Sequence, residues 1–258
     1  MKRSTDPGRR ALLMALGCGV AAPRWNGALA QGGAGVDAAV AHQVPLDTVA
    51  DLDIDQPAEI DGEPVDLAAL ALGIIEVPSG RLAGVDALVL EGAPFVPNVP
   101  RGRYPLQIVL ARLAEGEERV AFVHIRFADR PARTWTNAMI EGEDPAAVPE
   151  GELSVFEVES GVAGVFDAAA LAAWRAEVDS QRLLRDLERV LRENRRPMWT
   201  WARVRAGGGS GFLVTSGLGA GEYAAYWGRD GDGAVVSFVL DFDLLDWAGL
   251  PSEPDVTI

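Results

Sequence analysis

The sequence predicts an α+β fold: β-rich, mainly antiparallel sheets with one long helix packed on them. Three observations lead there. From Gly73 onward, short apolar runs are separated by glycine, proline and aspartate turns. The connections between these runs are hairpin-sized, which argues against a parallel doubly wound sheet. One stretch alone, between Asp167 and Pro197, changes to helical spacing.

Taken in order, Gly73–Val77, Ala87–Leu90 and Tyr104–Leu113 read as strands, with turns at Pro78-Ser79-Gly80 and Pro100-Arg101-Gly102. Arg119–Phe127 alternates cleanly. Val120, Phe122, His124 and Arg126 share one side, and Ala121, Val123, Ile125 and Phe127 the other. Trp135–Ile140 and Ser154–Val158 follow as strands. Asp167 is a suitable N-cap for Ala168-Ala169-Ala170. Leu171, Trp174, Val178, Leu184, Leu187 and Leu191 keep helical spacing, and Asp179-Ser180 is a potential break. Arg195, Arg196 and Pro197 end the helix with positive charge and a proline stop. Strands then resume at Trp199–Val204, Phe212–Thr215, Tyr223–Trp227 and Val235–Phe242. Arg229–Gly233 has the composition of a hairpin turn.

The chain divides into four parts. Residues 1–30 have the form of an export signal: Arg9-Arg10, an apolar run from Ala11 to Ala22, and Ala28-Leu29-Ala30 as a small-residue cleavage site. The adjacent arginines give it a twin-arginine character. The run is too short for a spanning helix, which needs about 20 residues, so no stable membrane span is expected after cleavage. Residues 31–66 form an acidic extended arm, mobile or laid on the domain, with acids from Asp47 to Asp66 among Pro45, Pro57 and Pro64. Residues 67–246 form a single β-rich globular domain, and 247–258 a loose tail. The expected location is periplasmic or secreted.

Composition excludes several chemistries. The formal charge is −15; removing residues 1–30 takes away five basic side chains and one acidic one, leaving −19. Such a surface repels nucleic acid and anionic lipid. Lys2 is the only lysine and Cys18 the only cysteine. The mature chain therefore has no Schiff-base lysine, thiol nucleophile, disulfide or thiolate metal site.

The motifs are weak. Gly217, Gly219 and Gly221 resemble a phosphate loop, but the strand-like text behind them lacks the helix N-terminus that such a loop requires. Asp230-Gly231-Asp232-Gly233 reads as a turn, since an EF-hand needs a third acidic ligand and a closing glutamate. His124 invites a Ser–His–Asp triad with Ser79, Ser154, Ser160 or Ser216, although none of them lies in a Gly-x-Ser-x-Gly elbow. Trp199 and Trp201 share a strand face and, if exposed, would suit sugar or peptide stacking. Carboxylates are the remaining resource. Glu157 and Glu159 share a face, and the glycine turns Gly161–Gly164 and Gly217–Gly221 would line a candidate cleft containing Glu159, Asp167, Ser216, Glu222, Tyr223 and Asp241. No metal site and no cofactor are expected.

Several segments resemble the bacterial family known as domain of unknown function 4241. They are Val77–Leu82, Val99–Leu106, Arg119–Ala121, Gly161–Asp167, Ser216–Tyr223, Tyr226–Gly228 and Asp241-Phe242. The resemblance implies a fold and no activity. This chain has Glu159-Ser160-Gly161 where relatives tend to show Asp-Ala-Gly, and Gly219-Ala220-Gly221 where they often show Gly-Asp-Gly. The functional expectation is an exported binding or interaction module of the cell envelope with an unknown protein or glycan partner. The alternative is a carboxylate-dependent envelope hydrolase, with glycans as the candidate substrate.

Overall fold

A computed structural model describes residues 34–37, 42–44, 58–113, 116–149 and 152–246. The expected export signal, most of the expected acidic arm and the expected tail lie outside the described residues. The elements are β1 (Gly35–Asp37), β2 (His42–Val44), β3 (Glu59–Ile60), β4 (Glu63–Pro64), β5 (Asp66–Val77), β6 (Leu82–Asp86), β7 (Phe95–Val96), β8 (Gly102–Arg112), β9 (Glu118–Arg126), β10 (Thr134–Asn137), β11 (Met139–Ile140), β12 (Val155–Val158) and β13 (Val162–Asp167). Helices α1 (Ala168–Glu177) and α2 (Gln181–Glu193) follow, then β14 (Trp201–Ala206), β15 (Gly209–Thr215), β16 (Gly221–Arg229) and β17 (Val235–Asp241).

Two antiparallel sheets face each other. The smaller has the order β1-β14-β15-β13-β6; the larger runs β10-β16-β17-β9-β8-β5-β2, with β12 also paired to β16. The fold is α+β and mainly antiparallel, as the sequence predicts. Period-two alternation gives each strand one face toward the space between the sheets. Leu106, Ile108, Leu110, Val123, Ile125, Phe238 and Leu240 meet Ala163, Val165, Trp201, Phe212 and Val214 there. The other face of the smaller sheet carries Ala83, Phe166, Ala202, Val204 and Leu213, which pack on Leu171, Trp174, Leu187 and Leu191 of the helices. A third apolar cluster lies on the outer face of the larger sheet, where Val109, Phe122 and Val239 are joined by Ala58, Leu244 and Leu245.

Strand β5 is long enough to drift out of phase. A register shift between Ala71 and Gly73, with Gly73 at φ 131°, restores it, so that Ala68 before the bulge and Ile75 and Val77 after it all face the same core. At Gly211 a Cβ would sit 2.2 Å from the Phe166 ring, so the side chain of β13 lies flat across β15 only because that position is glycine.

Three expectations need correction. The long helix is two helices: Ser180 accepts a hydrogen bond from the Leu183 N–H and caps α2, which breaks the run at the potential site Asp179-Ser180. Ala87–Leu90 is a turn, not a strand. The Asp86 carboxylate holds the N–H groups of Leu88 (2.6 Å) and Val89 (3.1 Å), and Leu90 has φ 55°. The strand is the preceding segment, β6. The supposed turn Gly161–Gly164 turns only at Gly161, φ 72°; from Val162 the chain is β13, a strand with partners on both sides.

The early part of the chain contributes strands before Leu67. The β3–β4 hairpin precedes β5, β1 adds to β14, and β2 adds to β5. At β1, Asp37 meets Arg203 at 3.3 Å and Arg205 Nε at 2.6 Å, and Arg203 reaches Glu76 of β5 at 3.2 Å. This largely buried ion chain ties the edge of the smaller sheet to β5 of the larger. Burial lowers the proton affinity of the Arg203 guanidinium, and neighbouring Arg205 adds to that effect.

Candidate functional site

The six residues singled out from the sequence fall in different places. Asp167 closes β13 and starts α1. Its Oδ1 accepts from the N–H groups of Ala169 and Ala170, each at 3.0 Å. Its Oδ2 accepts from Ser79 N at 2.9 Å and from the Ser79 hydroxyl. The residue is fully buried. Four donors therefore saturate this carboxylate, which both caps a helix and fixes the Pro78–Gly80 turn.

Glu159 and Ser216 lie at the opposite end of β13, about 20 Å away at the extended rise of 3.4 Å per residue. There the β12–β13 turn and the β15–β16 loop abut: a Cβ on Gly161 would lie 3.4 Å from the Gly219 Cα. Ser216 N donates to Gly161 O at 3.1 Å, and Gly217 N to Val120 O at 3.2 Å. The Gly219 carbonyl accepts from both the Ser216 hydroxyl and the Tyr223 hydroxyl, each at 2.7 Å. Gly217, φ 39°, packs so closely on the Phe242 carbonyl that a Cβ would lie 2.8 Å from it. Tyr223 is buried edge-on against Phe242, and burial pushes its hydroxyl pKa up. Both hydroxyls are structural fasteners of a glycine loop.

Glu222 is exposed on β16, directly opposite exposed Glu157 of β12. Asp241 lies on the outer face of the larger sheet, opposite Phe122, and accepts from Asp243 N at 3.2 Å. Next to it Tyr226 is held protonated by burial and by the negative charges of Asp241 and Asp243. The structure thus brings Glu159, Ser216, Glu222 and Tyr223 to one end and places Asp167 at the other.

His124 does find a serine, but none of the four expected. Its Nε2 is 2.5 Å from Ser237 Oγ, and its Nδ1 is 3.1 Å from Gln107 Nε2. Ser79 is bonded to Asp167, Ser160 to Val162 O and Ser216 to Gly219 O. The Gln107–His124–Ser237 row was invisible in the sequence because it needs the order β8-β9-β17. It is a poor nucleophilic centre. His124 and Ser237 are 3% and 5% exposed, and burial, aided by nearby Arg126, lowers the imidazole pKa to about 3. A base that weak draws no proton from serine near neutral pH. With the Gln107 amide nitrogen donating, the ring proton also sits on Nε2, the wrong tautomer for a general base.

The hairpin turn at Arg229–Gly233 forms as expected. Asp230 accepts from Asp232 N at 3.0 Å and Ala234 N at 2.9 Å, and it pairs with Arg130. Trp199 and Trp201 are buried, at 5% and 2% exposure, so neither offers a stacking platform. Among the described residues no group of three or more His, Cys, Asp or Glu is placed to hold a metal ion.

The family model described as a protein of unknown function (DUF4241) matches residues 75–240, from the second half of β5 almost to the end of β17. The chain belongs to this family. No curated protein and no solved structure matches it. Two of the segments that carry the resemblance, Gly161–Asp167 and Ser216–Tyr223, meet at Gly161 and Gly219. No helix among the described residues is long and apolar enough to cross a membrane.

Proposed function

We propose that this chain is an exported bacterial binding module of the cell envelope, acting through contact with a partner rather than through catalysis. One observation carries the reading: Asp167, Ser216 and Tyr223 are engaged in hydrogen bonds that build turns and a helix cap, and Asp167 stands about a strand's length from the others. The signal pattern at Arg9-Arg10 and Ala28–Ala30 supports export. The burial of Trp199 and Trp201 favours a protein over a glycan, because sugar recognition draws on exposed aromatic faces.

One placement favours the hydrolase reading. Glu157 and Glu222 face each other across β12 and β16, where opposed side chains stand about 5 Å apart at Cβ. A catalytic acid pair works in a cleft that shields one carboxyl; these two are exposed. The test is to incubate mature protein (31–258) with envelope glycans and, in parallel, to pass an envelope extract over the immobilised protein. The proposal expects no glycan cleavage and a saturable retained partner. Cleavage abolished by Glu222→Gln would replace it with the hydrolase.

A further inference from the structure

We infer that the outward ridge of α2 is a docking surface for an acidic helix of a protein partner; the inference rests on the binding-module reading. Charge is unevenly spread along the chain. Residues 181–196 hold six arginines (Arg182, Arg185, Arg189, Arg192, Arg195 and Arg196) against Asp186, Glu188 and Glu193, a net of +3 in a chain of −15. The remaining residues therefore carry −18. A cationic strip on so acidic a protein is where an anionic partner is drawn in and oriented.

Helix phase puts four of these arginines on one face. Leu183, Leu187, Val190 and Leu191 of α2 are buried against the smaller sheet. At 3.6 residues per turn, Arg182, Arg185, Arg189 and Arg192 fall within an arc of about 80°, opposite that buried face. The row is about 15 Å long at 1.5 Å per residue. The Arg182 and Arg192 side chains are 76% and 46% exposed, and Arg185 is exposed as well. Arg185 pairs with no carboxylate among the described residues; its Nη1 lies 3.5 Å from Gln181 Oε1. The other three have partners along the helix: Arg182 with Asp186 at 3.8 Å, Arg189 with Glu193 at 3.1 Å, and Arg192 with Glu188. These pairs hold the guanidinium groups on the ridge. Exposed pairs at this spacing are weak enough to be exchanged for a partner's carboxylate.

The row is one residue wide. By the same phase, Asp186 and Glu193 border it on one side and Glu188 on the other. A helix with Asp or Glu at the same i, i+3, i+7, i+10 spacing matches it in length and in width. Duplex nucleic acid is wider than the row and would set phosphates against the bordering carboxylates. An anionic membrane fits no better. A helix lying in a bilayer surface buries its apolar face in lipid, and that face of α2 is taken by the smaller sheet.

The test titrates mature protein with two short synthetic helices of equal charge, followed by fluorescence anisotropy at low salt. One helix carries glutamates at i, i+3, i+7 and i+10; the other has the same glutamates dispersed around its circumference. The expected result is that the first binds about tenfold more tightly than the second. The double variant Arg182→Gln with Arg185→Gln weakens that binding about tenfold, and added salt weakens it further. The double variant Arg101→Gln with Arg133→Gln removes the same charge from two other exposed positions and leaves binding unchanged. Both variants melt with the wild type, because all four side chains are exposed. No binding, equal binding of the two helices, or equal loss in the two variants overturns the inference. So does binding of duplex DNA or phosphatidylglycerol vesicles that depends on Arg182 and Arg185 and is as tight as that of the first helix. If immobilised wild-type protein retains an envelope partner that ignores Arg182→Gln with Arg185→Gln, the surface is wrong and the binding reading stands. If it retains nothing, the binding reading itself fails.

Discussion

Each oxygen of the Asp167 carboxylate accepts two hydrogen bonds, and removing them frees four donors at once. Loss of a helix cap alone costs about 1–2 kcal/mol, and the Ser79 turn loses its anchor as well. Asp167→Ala is therefore expected to lower unfolding free energy by about 2–4 kcal/mol in urea titration, with Ser79→Ala costing less. His124 gives a pH signature. In the fold it stays neutral down to about pH 3, against 6.5 for an ordinary histidine. Between those values the unfolded chain binds the extra proton, so this contribution is complete above pH 6.5 and is lost as pH falls toward 3. Measured between pH 7 and 5.5, where most carboxylates stay ionised, wild-type stability should fall with acid and His124→Gln should fall less. A wild-type profile as flat as that of the variant would remove the buried neutral histidine. Asp167 was legible in the sequence as a cap; its Ser79 bonds were not, because the two residues lie 88 apart in the chain.

Strands with clear alternation, such as β8, β9 and β17, were readable because one face of each meets the core between the sheets. Strand β13 was not. Its Gly164 reads as a turn residue, yet the glycine is there because a Cβ would lie 2.7 Å from the Phe166 ring and 2.9 Å from Leu213. Strand β6 was hidden for a related reason, since Gly84 gives up its side-chain space to Phe95 and Phe156. Glycine marks close packing as well as turns, and sequence alone does not separate the two. At the edge of the smaller sheet, β1 depends on Asp37. Cutting a buried ion pair costs about 3–5 kcal/mol when the remaining charge is left alone. Glu76 still faces Arg203 here. Asp37→Ala is thus expected to cost about 1–3 kcal/mol by equilibrium unfolding, and Arg203→Met, which removes the charge, should cost less than the Asp37 and Glu76 changes together. Additive losses with no coupling among the three residues would contradict a shared network.

The described residues form two facing sheets with helices packed on the smaller one and two short two-stranded pairs beside them, and the order of strands decides what meets what. That order brings Ser237 to His124 and keeps Asp167 away from Glu159. The polar row was not legible in the sequence, because it depends on neighbours far apart in the chain. The fold class was legible, since it follows from local periodicity and short connections. The strong negative charge and the lack of cysteine and lysine beyond residue 30 are whole-chain properties that a reading of composition gives directly. The binding reading depends first on the protein leaving the cell interior. Intact-mass analysis of the protein recovered from the envelope fraction tests that most directly. The account predicts a chain beginning at Gln31, with residues 1–30 absent. Recovery of a soluble cytosolic chain with Met1 or Lys2 at its N-terminus would contradict it.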